Sequence, residues 1–193
     1  MASFFDMIGA APATASVHDS TLIVIDAQNE YAEGRFRTAG VEQSRNVILD
    51  LVTAYRAASN PEKIVHIVHH ADSPLFFTKG TTLGSEFAEL TPLAGEITVH
   101  KRLPGSFSKT NLQERLDATG CKKVVLVGYM THLCVSMTAR QAHELGYVVL
   151  IAADAVGTRD IPGVSAAELH RVALAELADS TATIIQGKDV ERA

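Results

Sequence analysis

"KKVVLVGYMTHLCVSMTARQAHELGYVVLIAADA", Lys122 to Ala155, is the stretch from which the fold can be read. Its two ends, Lys122 to Tyr129 and Tyr147 to Ala155, are runs of Val, Leu, Ile and Ala that do not alternate with polar residues. Unbroken runs of strand length mark strands covered on both faces, as in parallel sheets. Between them VSMTARQAHELG reads as a helix that closes on Gly146, a residue suited to a left-handed stop. Strand, helix and strand in this order make a βαβ unit with a right-handed crossover.

The same alternation continues on both sides. TLIVID (Thr21 to Asp26), KIVHIVHH (Lys63 to His70) and TATIIQG (Thr181 to Gly187) are further strand candidates, and ITVHK (Ile97 to Lys101) is a weaker one. Helical patterns fall at Val41 to Ala58, where Val47, Leu51, Ala54 and Tyr55 form one apolar stripe, at NLQERLDATG ending on Gly120, and at Ser165 to Asp179. The expectation is an α/β protein of three layers, α/β/α, with a doubly wound sheet of six parallel strands. A chain of 193 residues suits a single domain over residues 1–193, with residues 1–19 as an N-terminal extension. One long segment, Ala71 to Glu96, has no periodicity, and loops of that length tend to serve function.

Composition narrows the classes of function. With 47% apolar and 20% charged residues the chain is far from the profile of disorder. A net charge of -5 and the lack of a Lys/Arg-rich run argue against nucleic acid as a partner. The first cationic side chain is Arg35, so the opening residues lack the basic region of a secretory leader, and no run approaches the ~20 apolar residues that cross a bilayer. No membrane contact and a cytoplasmic address are therefore expected. Two cysteines make no disulfide framework, and each needs its own account.

In an open α/β sheet the ligand crevice lies beyond the carboxyl ends of the strands. There the first strand ends on Asp26, the ITVHK strand on Lys101, and the Lys122 to Tyr129 strand leads to Cys134 at the start of a helix. A helix start and a nearby lysine favour a thiolate, and a carboxylate can carry a proton from thiol to leaving group and activate water afterwards. That chemistry is nucleophilic acyl transfer. Taken singly, each residue also has a structural reading: Cys134 as a small core filler, Asp26 as a turn cap, Lys101 as a solvated strand end. Cys121 lies at the opposite edge of the sheet and reads as structural.

With those residues in view, the chain resembles the isochorismatase-like cysteine hydrolases, the superfamily that includes nicotinamidases. The matching stretches are LIVIDAQNEY, HKRLPGSFSKTNLQERL and VVLVGYMTHLCVSMTARQAHELGYVVLIAADAVGTRD. The resemblance implies the strand order 3-2-1-4-5-6 and a triad of Asp26 as proton shuttle, Lys101 as electrostatic partner and Cys134 as nucleophile. It also implies a cis peptide at Tyr129-Met130, with the N–H groups of Met130 and Cys134 facing one oxyanion. That order sets the Lys101 strand two places from the Asp26 strand, so twist and a long side chain must close the gap. A small amide or related C–N substrate, no cofactor, and a homo-oligomer (dimer or higher) are the further implications. Hydrolysis of an isochorismate-type vinyl ether by acid catalysis from Asp26 and a non-catalytic ligand-binding protein are the rivals.

Gln28, Tyr31, Phe107 and His132 are the candidates for substrate contact. Phe76, Phe77 and Phe107 could wall the pocket or pack, and His132, where many relatives have an acid, could bind substrate or fix its turn. Nicotinamidases carry an Asp-x-His element with a further metal-holding histidine; here the corresponding stretch is HHADSPLFF, with His70 and Asp72 in reversed order. His66 and His70 share one strand face and His69 takes the other, so they do not converge as ligands. No metal site is expected, and these histidines read as strand-end groups bonded to loop backbone.

Overall fold

The computed structural model describes residues 1–71 and 73–192. The elements run α1 (Phe4–Met7), β1 (Ser20–Ile25), α2 (Val41–Ala57), β2 (Ile64–His69), β3 (Ile97–Lys101), α3 (Leu112–Thr119), β4 (Lys123–Tyr129), α4 (Ser136–Glu144), β5 (Val148–Gly157), α5 (Ala166–Ser180) and β6 (Thr183–Ile185). The six strands form one sheet in the order β3-β2-β1-β4-β5-β6, and every pairing is parallel.

Alternation along the strands divides the core into two layers, as the period of two requires. Leu22, Val24, Val125 and Val127 face α2, which returns Ile48, Leu51, Val52 and Tyr55. Ile23, Ile25, Val124 and Leu126 face the other way, onto Leu112 and Leu116 of α3, Ala139 and Ala142 of α4, and Leu174 and Leu177 of α5. The buried stripe of α2 is rotated from the expected one: Ile48 and Val52 are fully buried, whereas Val47 and Ala54 sit at its margin.

Between β2 and β3 the described residues form no α-helix, only a short 3-10 turn at Ala88–Leu90. The irregular segment folds over the α2 side instead, contributing Phe77, Phe87 and Leu90 to the core. His66 anchors it. This histidine is fully buried inside β2, with Nδ1 3.0 Å from Glu86 and Nε2 3.0 Å from Glu96, both carboxylates of that segment. Glu96 is held in turn by Arg56 of α2. The expected strand-end histidine bonded to loop backbone is thus corrected: local sequence has no signal for carboxylates 20 and 30 residues downstream. His70 instead stacks on His100 of β3, centroids 4.7 Å apart. Asp72 lies outside the described residues.

Residues before β1 run back along the sheet. Ala15 and Val17 are buried, Ser16 bridges to Glu191, and the Phe4 N–H donates to Asp179 of α5.

Candidate active site

Three strand ends meet at the carboxyl edge. β1 stops at Asp26, whose φ of 50° turns the chain out of the strand, a conformation that aspartate tolerates better than most residues. β4 stops at Gly128 and Tyr129. Gly128 has φ of 110°, and a Cβ there would overlap the carbonyl oxygen of Ile25, so only glycine lets the ends of β4 and β1 approach this closely. The Tyr129-Met130 peptide is cis. A single π-helical turn, Thr131–Val135, then feeds α4, with the N–H groups of Leu133 and Val135 both donating to Met130 O. Cys134 sits in that turn, 4% exposed.

Lys101 closes the distance from β3. Its ammonium is 2.8 Å from Asp26 Oδ2 and 3.4 Å from Cys134 Sγ, and it also reaches Leu103 O at 3.2 Å and His69 Nδ1 at 3.3 Å. Lys101 is 1% exposed and Asp26 fully buried. Two charges taken this far from water persist only as partners. Beyond Lys101, the Asp26 carboxylate faces the Cys134 thiol, which places it to take the thiol proton.

The electrostatics correct one expectation. Burial pushes the Cys134 thiol up to about 12, the Asp26 charge adds to that, and Lys101 opposes it without prevailing. That direction runs against the one expected from a helix start beside a lysine. Burial works against the Lys101 charge, yet the Asp26 charge leads the opposing influences and its pKa is raised. The ammonium therefore stays charged, which requires His69 Nδ1 to be its acceptor. Burial chiefly lowers the His69 pKa, Asp26 opposing and Lys101 assisting, so that ring is neutral near pH 7. Sequence reasoning missed His69 because its face of β2 said nothing of where a lysine two strands away would end.

The expected substrate contacts divide. Gln28 is fully buried with its amide committed to backbone: Nε2 donates to His69 O and Gly84 O, and Oε1 accepts from His69 N–H. It ties β1, β2 and the long segment together. Phe107 packs against Tyr147 in the α3/α4 layer, away from an aromatic group on the α2 side. That group comprises Tyr31, Phe36, Phe76 and Phe77, with Phe77 set edge-on to His69 at 5.1 Å. Tyr31 is buried, and its pKa is raised well above the ordinary value by burial and then by the charge of Asp26. His132 Nδ1 is 2.6 Å from Thr158 Oγ1, a bond that fixes the turn to β5. Phe36 was not singled out from the sequence; its only signal was an aromatic residue in a polar loop after β1. Among the described residues no cluster of three or more His, Cys, Asp or Glu is disposed to hold a metal.

A doubly wound sheet that brings a thiol, a carboxylate and an ammonium together at its carboxyl edge defines the class of α/β cysteine hydrolases. The isochorismatase domain matches residues 20–189, and the chain belongs to that family of hydrolases. It is 55% identical to a secreted isochorismatase effector of Verticillium dahliae, covering 98% of this chain and all of that one. It is 29% identical to nicotinamidase 3 of Arabidopsis thaliana over 90% of this chain and 87% of the relative. The crystal structure of an isochorismatase from Pseudomonas putida superposes with a TM-score of 0.93 at 31% identity, covering 98% and 99% of the two chains.

Proposed function

We propose that the protein hydrolyses a small amide or related C–N bond through a thioester on Cys134. The observation that carries this reading is the single buried ammonium of Lys101 reaching both Asp26 and Cys134. Cys134 Sγ attacks the carbonyl carbon as its proton passes to Asp26, which suits a thiol that is protonated at rest. The N–H groups of Met130 and Cys134 take the developing oxyanion. Collapse breaks the C–N bond, and Asp26 returns the proton to the departing amine. Water then adds to the thioester with Asp26 as base, releasing the acid and restoring the thiol. Lys101 keeps Asp26 in its proton-accepting form and balances charge throughout. No cofactor takes part in this scheme.

A second reading is vinyl-ether hydrolysis of isochorismate, favoured by the 55% identity to the Verticillium dahliae effector. It needs Asp26 to deliver a proton to carbon, and the adjacent Lys101 charge favours the carboxylate instead. Cys134→Ala separates the two. Loss of amide turnover with no isochorismate cleavage supports the thioester, whereas pyruvate release from isochorismate by wild type and Cys134→Ala alike overturns it.

We carry forward a homo-oligomer, which sedimentation of the purified chain tests. We carry forward a cytoplasmic address as well, although the Verticillium dahliae relative is a secreted protein. Recovery of the native protein from culture medium would overturn that address. No helix among the described residues is long and apolar enough to cross a membrane.

A further inference from the structure

The turn that carries Cys134 is fastened to α5 through one side chain. Thr131 opens that turn and is fully buried, and its Oγ1 lies 3.1 Å from Nδ1 of His170, a half-buried residue of α5. Burial chiefly lowers the His170 pKa, the Ala153 carbonyl of β5 opposing, so the ring is neutral near pH 7. A neutral imidazole has one N–H and one bare nitrogen. Ala153 O can only accept, and giving it the N–H leaves Nδ1 bare to accept from the Thr131 hydroxyl. A threonine near a helix start commonly turns its hydroxyl onto the N–H three residues on, which for Thr131 is the N–H of Cys134. Among the described residues its hydroxyl makes no such bond and is committed to His170. The two bonds that close the turn, from the N–H groups of Leu133 and Val135 to Met130 O, also pass over Cys134.

We propose that His170 is a positioning residue: by holding the Thr131 hydroxyl it keeps the Cys134 N–H directed at the oxygen of the substrate carbonyl. The proposal rests on the reading of Cys134 as the nucleophile of a thioester route. His170 acts through Thr131 and not on the reacting atoms. Its influence belongs to the state in which the carbonyl carbon is tetrahedral, so it should show in tetrahedral adducts and not in simple alkylation of the thiol.

Acetaldehyde carrying an isotope label at its carbonyl carbon tests this on the intact protein. Cys134 Sγ bonds to the carbonyl carbon, the C=O π bond opens, and the thiol proton passes by way of Asp26 to the oxygen, giving a neutral and reversible thiohemiacetal. Its carbon NMR signal measures the adduct, with Cys134→Ala as the blank for Cys121. His170→Phe should weaken the adduct about fivefold, Thr131→Val should weaken it equally, and the two together should add nothing further. His170→Asn, which offers an amide oxygen in place of Nδ1, should restore it to within about twofold of wild type. Iodoacetamide alkylation of Cys134 should stay within about twofold in all of these. Thr131→Val, the removal of one hydroxyl at nearly constant shape, carries the test should His170→Phe not fold. An adduct of unchanged strength, failure of His170→Asn to restore it, or a parallel loss of alkylation, which would make His170 a general support of the fold, overturns the proposal. An adduct absent from the wild-type protein overturns the thioester reading together with it.

Discussion

Cys121 stands just before β4 and Cys134 just beyond it, so one strand carries a buried free thiol at each end. At the first end the Cys121 N–H donates to Thr119 Oγ1, and no hydrogen bond or ion pair engages its sulfur among the described residues. At the second end Sγ has an ammonium at 3.4 Å, and that ammonium has a carboxylate at 2.8 Å. Burial alone therefore does not make a nucleophile. What distinguishes the carboxyl end is that β1, β3 and β4 each end there on a group able to move charge, and a parallel sheet puts all such ends on one edge.

The comparison breaks most sharply by truncating each thiol. Cys134→Ala should lower kcat by about 10⁴ or more, as loss of a covalent nucleophile does in comparable triads. Cys121→Ala should leave kcat/KM within about twofold and cost about 1 kcal/mol of stability from the small void it leaves. Turnover and chemical denaturation of the two proteins check this together. Equal losses of activity would remove the distinction between the two ends.

Removing the charged partners should cost somewhat less activity and more stability. Lys101→Met leaves the Asp26 carboxylate buried alone, a change expected to cost about 3–5 kcal/mol. Asp26→Asn leaves the ammonium in the same position and should lower kcat by about 10³ through loss of the proton carrier. Combining Lys101→Met with Asp26→Asn should recover most of the stability and none of the activity. Failure of the double substitution to regain stability in urea titrations would mean the two charges are not each other's partners.

A smaller effect, on reactivity rather than turnover, sharpens the electrostatic contrast. Because burial and Asp26 push Cys134 up to about 12, its alkylation by iodoacetamide should rise with pH well into the alkaline range. Asp26→Asn takes away a negative charge and should bring that rise to lower pH, while Lys101→Ala should move it higher. Peptide-resolved mass spectrometry reads both thiols in one sample. Cys121 should respond to neither substitution, and opposite shifts of Cys134 would establish that both partners act on it.

Much of this arrangement is legible in the chain because it depends on local periodicity. Unbroken Val, Ile and Leu runs alternating with helices give the sheet, and reading the last residue of each strand gives Asp26, Lys101 and the approach to Cys134. What the sequence hides is partnership at a distance. Glu86 and Glu96 clamp His66 from a segment without periodicity, and Gln28 spends its amide on the backbone of His69 and Gly84. Phe107 turns toward Tyr147 because α3 and α4 offer an apolar layer that a loop residue's type does not announce. The direction of the Cys134 pKa was hidden for a related reason. A motif names neighbouring charges but not the depth at which they lie, and here depth is the larger influence.

His69 tests whether the carboxyl end needs its fourth member. With Nδ1 3.3 Å from Lys101 Nζ, the ring accepts from the ammonium only while that nitrogen is unprotonated. Its pKa is lowered in the fold, so its contribution to stability is complete above the unfolded value of about 6.5 and declines as pH falls below it. Below its folded pKa an imidazolium would face the ammonium, push Lys101 from Asp26 and Cys134, and add an acid limb to kcat. His69→Gln keeps the backbone bonds to Gln28 and offers a side-chain oxygen in place of Nδ1. Its kcat near neutral pH should fall by no more than about tenfold, with the acid limb moved to lower pH. An unmoved limb would leave His69 as packing against Phe77, and the lysine would then depend on Asp26, Cys134 and Leu103 O alone.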